Sequence, residues 1–468
     1  MLEVTRELAR FVNDLEFENI PTEVIDRAKI LMRDFIGIGI RARHEADSTL
    51  AMMRATEILG ADGGACGVFG DSRWFSPAAA ALINGALGHS LDFDDTHAEA
   101  ALHPSAVVIP AAFAAAQLPG ASGKEVITAI VAGYEVVCRL GQAVGPDDHY
   151  KRGYHPTATC GVFGAAVAAG KVMGLSAEEI ESALGIALSQ ASGTMQFVEN
   201  GAWTMRYQVG NSAKSGLVAA SFAREGFVGA THPIEGKYGF LRAYAPSPNV
   251  TKVVAAVGTI WETMNIAVKP YPGCRLAHSG VDAIIEMKRE HGFEPKDIAS
   301  VDIGLVGLAY DLTGTPQAQK RTPDNLVDAQ FSMHFQAAIA IQHGRIHWDD
   351  FSRLLRDETT SALMRKINVT RRTDITGDDW SKFCANVSID LKDGRQITRQ
   401  IHLPKGEFGN FLTNFELRAK FRSLVTPCIG YASEIALCDL IMNFENETVD
   451  KLFHETLPTP GMVMAGED

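Results

Sequence analysis

Alanine-rich stretches recur through residues 1–265, and they restrict the possible folds of this chain more than any other feature. Alanine and leucine are strong helix formers, and small residues such as Gly164-Ala165-Ala166 let neighbouring helices approach closely. Two segments near the N-terminus also carry apolar residues at three- and four-residue spacing, as amphipathic helices do. We therefore expect closely packed helices at Val4 to Leu15, Thr22 to Ile38, Pro77 to Leu91, Ser105 to Gln117, Gly123 to Val144, Thr157 to Met173, Ser176 to Ala191 and Ala213 to Glu225.

The pattern changes near Tyr271-Pro272-Gly273. Beyond this point the sequence predicts strands at Ser300 to Leu308, Ile367 to Thr370, Ala385 to Leu391 and Arg395 to Leu403, the last two forming a hairpin around Gly394. Helices are predicted at His278 to Glu290, Phe331 to Gln342, Trp348 to Leu355, Asn414 to Ile435 and Asn446 to Phe453, and a loose tail at Pro458 to Asp468.

These patterns predict a mainly α fold with two domains. Both chain ends, 1–268 and 405–468, would form an all-helical domain, and 269–404 would form a smaller inserted α+β lid domain. A pocket between two domains is the usual place for a small-molecule site.

Composition excludes several classes of function. The net charge of −13 argues against binding to nucleic acid or to an anionic membrane. Seven cysteines are scattered without a CxxC pair, which is typical of a protein in a reducing cytoplasm and disfavours a disulfide framework or a zinc ribbon. The first residues show no apolar signal-peptide core, and the most apolar stretch, Thr128 to Val137, is too short to span a bilayer.

The densest polar cluster is the segment from Gly88 to His97. If the helix from Pro77 continues, His89, Asp92 and Thr96 fall at i, i+3 and i+7 on one face. A carboxylate on a face that is otherwise apolar or small indicates function, because carboxylates are rarely buried unless they are paired or functional. The alternative interpretation is a solvated helix end.

Two segments share one pattern: His103-Pro104-Ser105 and His155-Pro156-Thr157 each open an alanine-rich helix. Proline favours the first helical turn, so each histidine lies beside a helix N-terminus, where the macrodipole favours anions and disfavours imidazolium. We expect both histidines to be neutral near pH 7.

Cations come from other segments, including Lys269 in a stiff proline-rich run, Arg206 before a predicted Gly-Asn turn, and Lys237. Together with two helix N-termini, they would suit a small polycarboxylate. The alternative is a divalent-metal site, although nearby cations would disfavour it. Its candidate ligands are His89, Asp92, Asp94, Asp95, His97 and His103.

The order of these motifs resembles the MmgE/PrpD family, which includes 2-methylcitrate dehydratase, cis-aconitate decarboxylase and iminodisuccinate epimerase. The resemblance runs from the first helices to Ala419-Lys420-Phe421. It implies a large helical domain, an α+β lid, a homodimer and chemistry that uses neither metal nor cofactor. The motifs that carry it are 84–96, His103-Pro104-Ser105, Gly133-Tyr134-Glu135, His155-Pro156-Thr157, 235–240 and Lys269-Pro270-Tyr271-Pro272.

The resemblance also implies which residues act. Asp92, Thr96, His103, His155 and Lys269 match active-site positions of the family. Two positions depart from the pattern of decarboxylase-like members. Met205 replaces a lysine, and Phe335 replaces a tyrosine and follows His334.

We therefore expect a lyase that dehydrates a small hydroxy di- or tricarboxylate, as 2-methylcitrate dehydratase does. The expected catalytic residues are Asp92, His103, His155 and Lys269, and the expected substrate-binding residues are Thr96, Arg206, Tyr154 and His89. The alternatives are an epimerase of an imino- or amino-dicarboxylate, with Tyr150 or Tyr154 as a second acid/base group, a cis-aconitate decarboxylase and a non-catalytic carboxylate binder.

Overall fold

The computed structural model describes residues 3–118, 120–375 and 383–458. The chain divides into two compact units. The first comprises Met1–Gln196, Trp203–Ile266 and Thr413–Asp468, and the second comprises Phe197–Ala202 and Ala267–Leu412. Helix dominates and the sheets are small, so the predicted mainly α fold with a smaller α+β part is confirmed. The tail predicted to be loose lies outside the described residues from 459 onward.

The α-helices are, in chain order, α1 (Val4–Asp14), α2 (Thr22–Glu45), α3 (Thr49–Ile58), α4 (Pro77–Gly88), α5 (Ser105–Ala116), α6 (Gly123–Val144), α7 (Pro146–Lys151), α8 (Pro156–Val172), α9 (Ala177–Leu188), α10 (Thr204–Arg224), α11 (Phe240–Tyr244), α12 (His278–His291), α13 (Gly307–Ala309), α14 (Gln317–Lys320), α15 (Leu326–Gln330), α16 (Met333–His343), α17 (Trp348–Leu354), α18 (Glu358–Met364), α19 (Asn414–Ile429), α20 (Tyr431–Met442) and α21 (Val449–Glu455). The strands are β1 (Asp62–Val68), β2 (Asp71–Phe75), β3 (Thr96–His97), β4 (Ile266–Ala267), β5 (Ile298–Leu305), β6 (Ile367–Arg371), β7 (Ala385–Leu391) and β8 (Gln396–Ile401).

Glycine lets the central helices of the first unit pack at short range. A Cβ atom on Gly210 of α10 would lie 2.1 Å from the Leu82 carbonyl oxygen of α4, so only glycine fits there. Gly164 of α8 meets α6 in the same way, where its Cβ would lie 3.0 Å from the Gly133 carbonyl oxygen. The prediction that small residues serve close helix packing is therefore confirmed.

The second unit contains a four-stranded sheet in the order β6-β5-β7-β8. The pairing of β5 with β6 is parallel, whereas β5 with β7 and β7 with β8 are antiparallel. Strand β7 alternates buried and partly exposed residues, as a sheet with one covered face does. The hairpin predicted around Gly394 is confirmed.

Four local predictions were wrong. Strands β1 and β2 form an antiparallel hairpin in a region predicted to be helical. Helix α10 begins at Thr204 and continues through Gly210, so the Gly-Asn turn predicted there is absent, because Gly210 serves the contact with α4. Helix α4 ends at Gly88. The long C-terminal helix is interrupted at Gly430, whose φ of +87° breaks it into α19 and α20.

Helix α6 is long and apolar enough, by length and composition, to cross a membrane. The apolar part of α6 is therefore longer than the predicted stretch from Thr128 to Val137. Its apolar window is completely buried inside the protein, so α6 packs as a core helix.

Candidate active site

The site begins where α4 stops. A Cβ atom on Gly88 would lie 2.0 Å from the Phe35 ring, so α2 and α4 meet closely at this glycine. His89 caps the helix, and Asp92 turns the chain with a φ of +47°. The helical face predicted for His89, Asp92 and Thr96 is therefore wrong. A tight loop carries His89 and Asp92, and Thr96 begins the short strand β3.

Asp94 lies at the centre of the loop, with a fully buried carboxylate. Its Oδ2 is 2.7 Å from Nδ1 of His89 and 3.4 Å from Nδ1 of His103. The rings of His89 and His103 meet edge to face, with centroids 4.8 Å apart. One carboxylate oxygen therefore faces the same nitrogen of two imidazoles.

The two histidine-proline segments converge on His89. The His155 ring stacks on the His89 ring, with centroids 5.9 Å apart and an interplanar angle of 30°. The backbone N–H of His103 donates to Oγ1 of Thr157, a bond of 3.1 Å that joins the start of α5 to the start of α8. The structure thus brings His89, His103 and His155 together with Asp94, and we call these four residues the histidine cluster.

Burial lowers the pKa of His155 well below its usual range, and the neighbouring His89 and His103 lower it further. His155 is therefore neutral at pH 7, as the sequence predicted. The main physical cause is desolvation, whereas the prediction relied on the helix dipole.

Among the described residues of this region, Nε2 of His89 and Oγ1 of Thr96 are buried without a hydrogen-bond partner. A buried polar atom left unsatisfied costs free energy, so these atoms are suited to contact a polar ligand.

Lys420 and Ser105 bind the loop between α4 and α5. Lys420 of α19 lies 2.7 Å from Asp34 Oδ1, donates to the Phe93 carbonyl oxygen at 2.8 Å, and sits 3.8 Å from the centre of the Phe93 ring. Asp95 accepts hydrogen bonds from the backbone N–H and the hydroxyl of Ser105 at the start of α5. These contacts tie the loop to α5 and to α19.

Desolvation raises the pKa of Asp95 to about 8, and the nearby carboxylates of Asp94 and Asp34 raise it as well, although the Ser105 bonds oppose the shift. Asp95 is therefore largely protonated at neutral pH. The pKa of Asp34 is also raised by burial, against the opposing effect of Lys420.

Several other predicted site residues have their own contacts. Nη1 of Arg206 donates to the carboxylate of Asp47 and to Oγ of Ser48. The ring of Tyr154 stacks on His149 at 4.8 Å and tilts against Tyr244 at 5.1 Å. Such contacts are typical of structural side chains, and nothing in them supports the substrate-binding roles predicted for Arg206 and Tyr154.

Lys269 is completely buried and belongs to the second unit, whereas the histidine cluster belongs to the first. Its catalytic role stays a prediction from the resemblance. Lys237 is on the surface, 5.0 Å from the Tyr238 ring centre.

Of the six metal ligands predicted for the alternative metal site, the structure brings three together. Atoms of His89, Asp94 and His103 lie within 4.8 Å of one another and could hold an ion. His97 is engaged elsewhere, since Ala100 N–H donates to its Nδ1 and its Nε2 lies 2.9 Å from Glu262 Oε2. The Asp95 carboxylate is bound to Ser105.

Sequence reasoning missed the importance of Asp94, Gln208 and Lys420. Asp94 was grouped with the acids around it, and only the structure shows that it is the one between the two imidazoles. Gln208 donates to Nδ1 of His155 at 2.8 Å from a different helix. The Ala419-Lys420-Phe421 motif was a sequence signal for Lys420, but it did not indicate what the lysine contacts.

Two domain models of one protein family match this chain. Residues 6–252 match the model of the MmgE/PrpD N-terminal domain, and residues 271–443 match that of the MmgE/PrpD C-terminal domain. The chain is 30% identical to the cis-aconitate decarboxylase-like protein oryM of Aspergillus oryzae, over 91% of each chain. It is 28% identical to a cis-aconitate decarboxylase of Aspergillus terreus (95% of this chain, 94% of the relative) and 26% identical to the human one (95% and 92%). Decarboxylases are lyases, and the chain itself belongs to the MmgE/PrpD family.

Proposed function

We propose that this protein is a cofactor-independent lyase that dehydrates a small hydroxy di- or tricarboxylate. The observation that carries the proposal is the histidine cluster, in which two histidines have opposite partners at the same ring nitrogen. Asp94, an acceptor, faces Nδ1 of His103, whereas the Gln208 amide, a donor, faces Nδ1 of His155. Such a pair can take a proton at one ring and donate a hydrogen bond from the other.

His103 is the proposed base. A carboxylate facing Nδ1 favours the tautomer with its proton there, which leaves the Nε2 lone pair free to accept a proton and stabilises the imidazolium that forms. The His103 side chain is 16% exposed, compared with 1% for His89, so His103 is the more accessible of the two histidines that face Asp94. His89 stays a prediction as a binding residue through its buried Nε2.

His155 is the proposed electrophile. As a neutral ring that donates from Nε2, it can bind the substrate carboxylate oxygen on which negative charge develops when the neighbouring carbon loses its proton. The imidazolium of His103 then returns the proton to the hydroxyl group on the next carbon. The carbon–oxygen bond breaks, water leaves and a carbon–carbon double bond forms, so atoms and charges balance.

A second candidate is decarboxylation of cis-aconitate, which the names of the curated relatives favour. It would use the same cluster to deliver a proton to the carbanion left by carbon dioxide. Two replacements weigh against it. Met205 is buried in the first turn of α10, and Phe335 packs edge-on against Phe351 with ring centroids 5.5 Å apart. Neither apolar side chain can bind a carboxylate.

A single set of incubations in D₂O separates the candidates. Hydroxy di- and tricarboxylates and cis-aconitate are each incubated with the protein and followed by mass spectrometry and ultraviolet absorbance. Loss of water with a new absorbing alkene supports the proposal. Release of carbon dioxide from cis-aconitate would replace it with the second candidate, deuterium exchange without loss of water would indicate an epimerase, and no exchange with any acid would indicate a binder.

The metal alternative needs its own control. Purified protein is dialysed against a chelator, assayed, and analysed for bound metal. Activity that survives in metal-free protein is expected. Activity that disappears and returns only with added metal would mean that His89, Asp94 and His103 hold an ion, and the proposed base would then be wrong.

A further inference from the structure

Gln208 lies on α10 and is bound at both ends of its amide group. Its Oε1 accepts the backbone N–H of Thr194 at 3.0 Å, and its Nε2 donates to the Thr194 carbonyl oxygen at 3.2 Å. The same Nε2 lies 2.8 Å from Nδ1 of His155. A flipped amide would oppose acceptor to acceptor and donor to donor at Thr194, so the backbone fixes which end of the amide faces the histidine.

The segment that orients Gln208 also holds His155. The backbone N–H of His155 donates to the Gly193 carbonyl oxygen at 3.2 Å, and Tyr154 pairs with Thr194 in an antiparallel bridge. Gly193 has a φ of +136°, and a Cβ atom there would lie 2.5 Å from Cβ of Ala158. The chain therefore requires glycine at position 193. Because His155 is bound to Gly193 and Gln208 to Thr194, this segment fixes the position of the two side chains relative to each other.

We propose that Gln208 is a positioning residue that holds His155 in the neutral tautomer with its proton on Nε2. A donor at Nδ1 requires a lone pair on that nitrogen, and a neutral imidazole has only one proton to place. The donor also opposes a second proton at Nδ1, so the imidazolium is disfavoured. This inference rests on the proposed function for its catalytic consequence, but the tautomer itself can be measured without substrate.

The titratable groups around His155 act on the charge of its ring. The titratable side chains near it are His89 at the end of α4, Asp94 on the following loop, His103 before α5 and His149 of α7. Asp94 would favour a positive imidazole, whereas the three histidines would disfavour it. The Gln208 bond differs from these charge effects, because it acts at one ring nitrogen, Nδ1.

Two substitutions test the proposal. Gln208→Glu keeps the shape but places an acceptor at Nδ1 of His155, so the proton moves to Nδ1. Gln208→Leu removes the hydrogen bond and leaves the tautomer unselected. Gln190→Leu is the matched control, because Gln190 also donates to a backbone carbonyl, that of Ser215, but does so away from the histidine cluster.

The first measurement is the ¹⁵N spectrum of the full chain labelled at histidine, with the His155 signals assigned by their loss in His155→Asn. Wild type and Gln190→Leu should show a protonated Nε2 and an unprotonated Nδ1 at His155. Gln208→Glu should show a protonated Nδ1. A wild-type spectrum with the proton on Nδ1 overturns the proposal, whether or not any variant folds.

The second measurement is turnover of the acid identified by the substrate incubations. Gln208→Glu should lower kcat by roughly 10²–10⁴-fold, the usual contribution of a positioned acid–base group, while KM changes much less. A merely structural role would instead lower the amount of folded protein and leave kcat per folded molecule unchanged. Unchanged kcat together with a moved proton overturns the catalytic consequence. Absence of wild-type turnover counts against the proposed function and leaves the tautomer result standing.

Discussion

At Asp92 the chain combines a left-handed backbone with a buried side chain. Asparagine adopts such a backbone as readily as aspartate does, whereas most residues do not. Asp92→Asn should therefore preserve the turn and remove only the charge. We expect turnover to fall by roughly 10²-fold or more if Asp92 takes part in proton transfer or substrate binding.

Turnover and thermal melting of Asp92→Asn are compared with those of Asp26→Asn, an exposed acid of α2. The melting temperature should match that of wild type for both. A rate equal to that of wild type would remove Asp92 from the reaction.

Asp95 predicts a pH dependence of stability. Its folded pKa of about 8 lies above the unfolded value of about 3.9. Its contribution to stability is fully present below the unfolded pKa and is lost as the pH rises toward 8, since the unfolded chain releases the proton first. The free energy of unfolding should fall by up to about 1.4 kcal/mol per pH unit in this range because of this group.

Asp95→Asn should lack this slope, because an amide has no proton to lose near neutral pH. Urea unfolding of the variant, of wild type and of Asp26→Asn at several values between pH 5 and pH 8 measures it. Equal slopes in all three proteins would mean that Asp95 is ionised in the folded state.

Helix α19 supplies the cation that holds the loop between α4 and α5. Lys420→Met leaves the carboxylate of Asp34 buried without that partner, and breaking a buried pair costs about 3–5 kcal/mol. The double variant Asp34→Asn/Lys420→Met should be less destabilised than Lys420→Met alone, because no buried charge remains unpaired.

Denaturant unfolding of wild type, Asp34→Asn, Lys420→Met and the double variant gives the coupling energy between the two side chains. Lys451→Met serves as control, since its exposed pair with Glu447 is worth at most about 1 kcal/mol. A Lys420→Met variant as stable as that control would show that α19 does not hold the loop.

The contact between α4 and α10 depends on Gly210, which has no side chain. Gly210→Ala places a methyl group against the backbone of Leu82 and Ala86, and backbone atoms inside a helix cannot move aside cheaply. Overpacking of this kind costs about 1–3 kcal/mol or more. Thermal melting should show the loss, whereas Asn211→Ala, one residue further along α10, should melt near the wild-type temperature.

Sequence patterns predicted most helices and strands, but they did not predict where some of these elements are interrupted or end. The bounds of α6 and β7 match the prediction, because a long apolar helix and an alternating strand each have a clear period. The hairpin of β1 and β2 escaped prediction because Gly63 and Gly64 weaken the strand signal. Gly64 is needed there, since its Cβ would lie 2.1 Å from the Phe75 carbonyl oxygen.

For the site, too, local sequence indicated some residues, whereas contacts between distant elements could not be predicted. Repetition of the histidine-proline pattern indicated His103 and His155, since local sequence fixes a helix start. It could not indicate that Gln208 of α10 meets His155 at the N-terminus of α8, because that contact depends on how two helices pack. Arg206 was assigned to substrate for its charge alone, and its contact with Asp47 is likewise visible only in the fold.

For the whole molecule, the test is whether the two units contribute to one reaction. Lys269→Met changes a buried residue of the second unit. It should abolish turnover if Lys269 binds a substrate carboxylate, while the ¹⁵N signals of His155 in the first unit stay as in wild type. Lys269→Arg, which keeps the charge, is the control for loss of the cation. Normal rates in Lys269→Met would remove the lysine from the mechanism.

The position of Lys420 has a consequence for synthesis. A ribosome delivers residues in order, so the loop with Asp92 and Asp94 emerges more than 300 residues before the lysine that binds Phe93. The first unit has every histidine of its cluster long before it has that cation. A nascent chain halted at residue 412 would therefore lack this contact, which can form only after translation has passed Lys420.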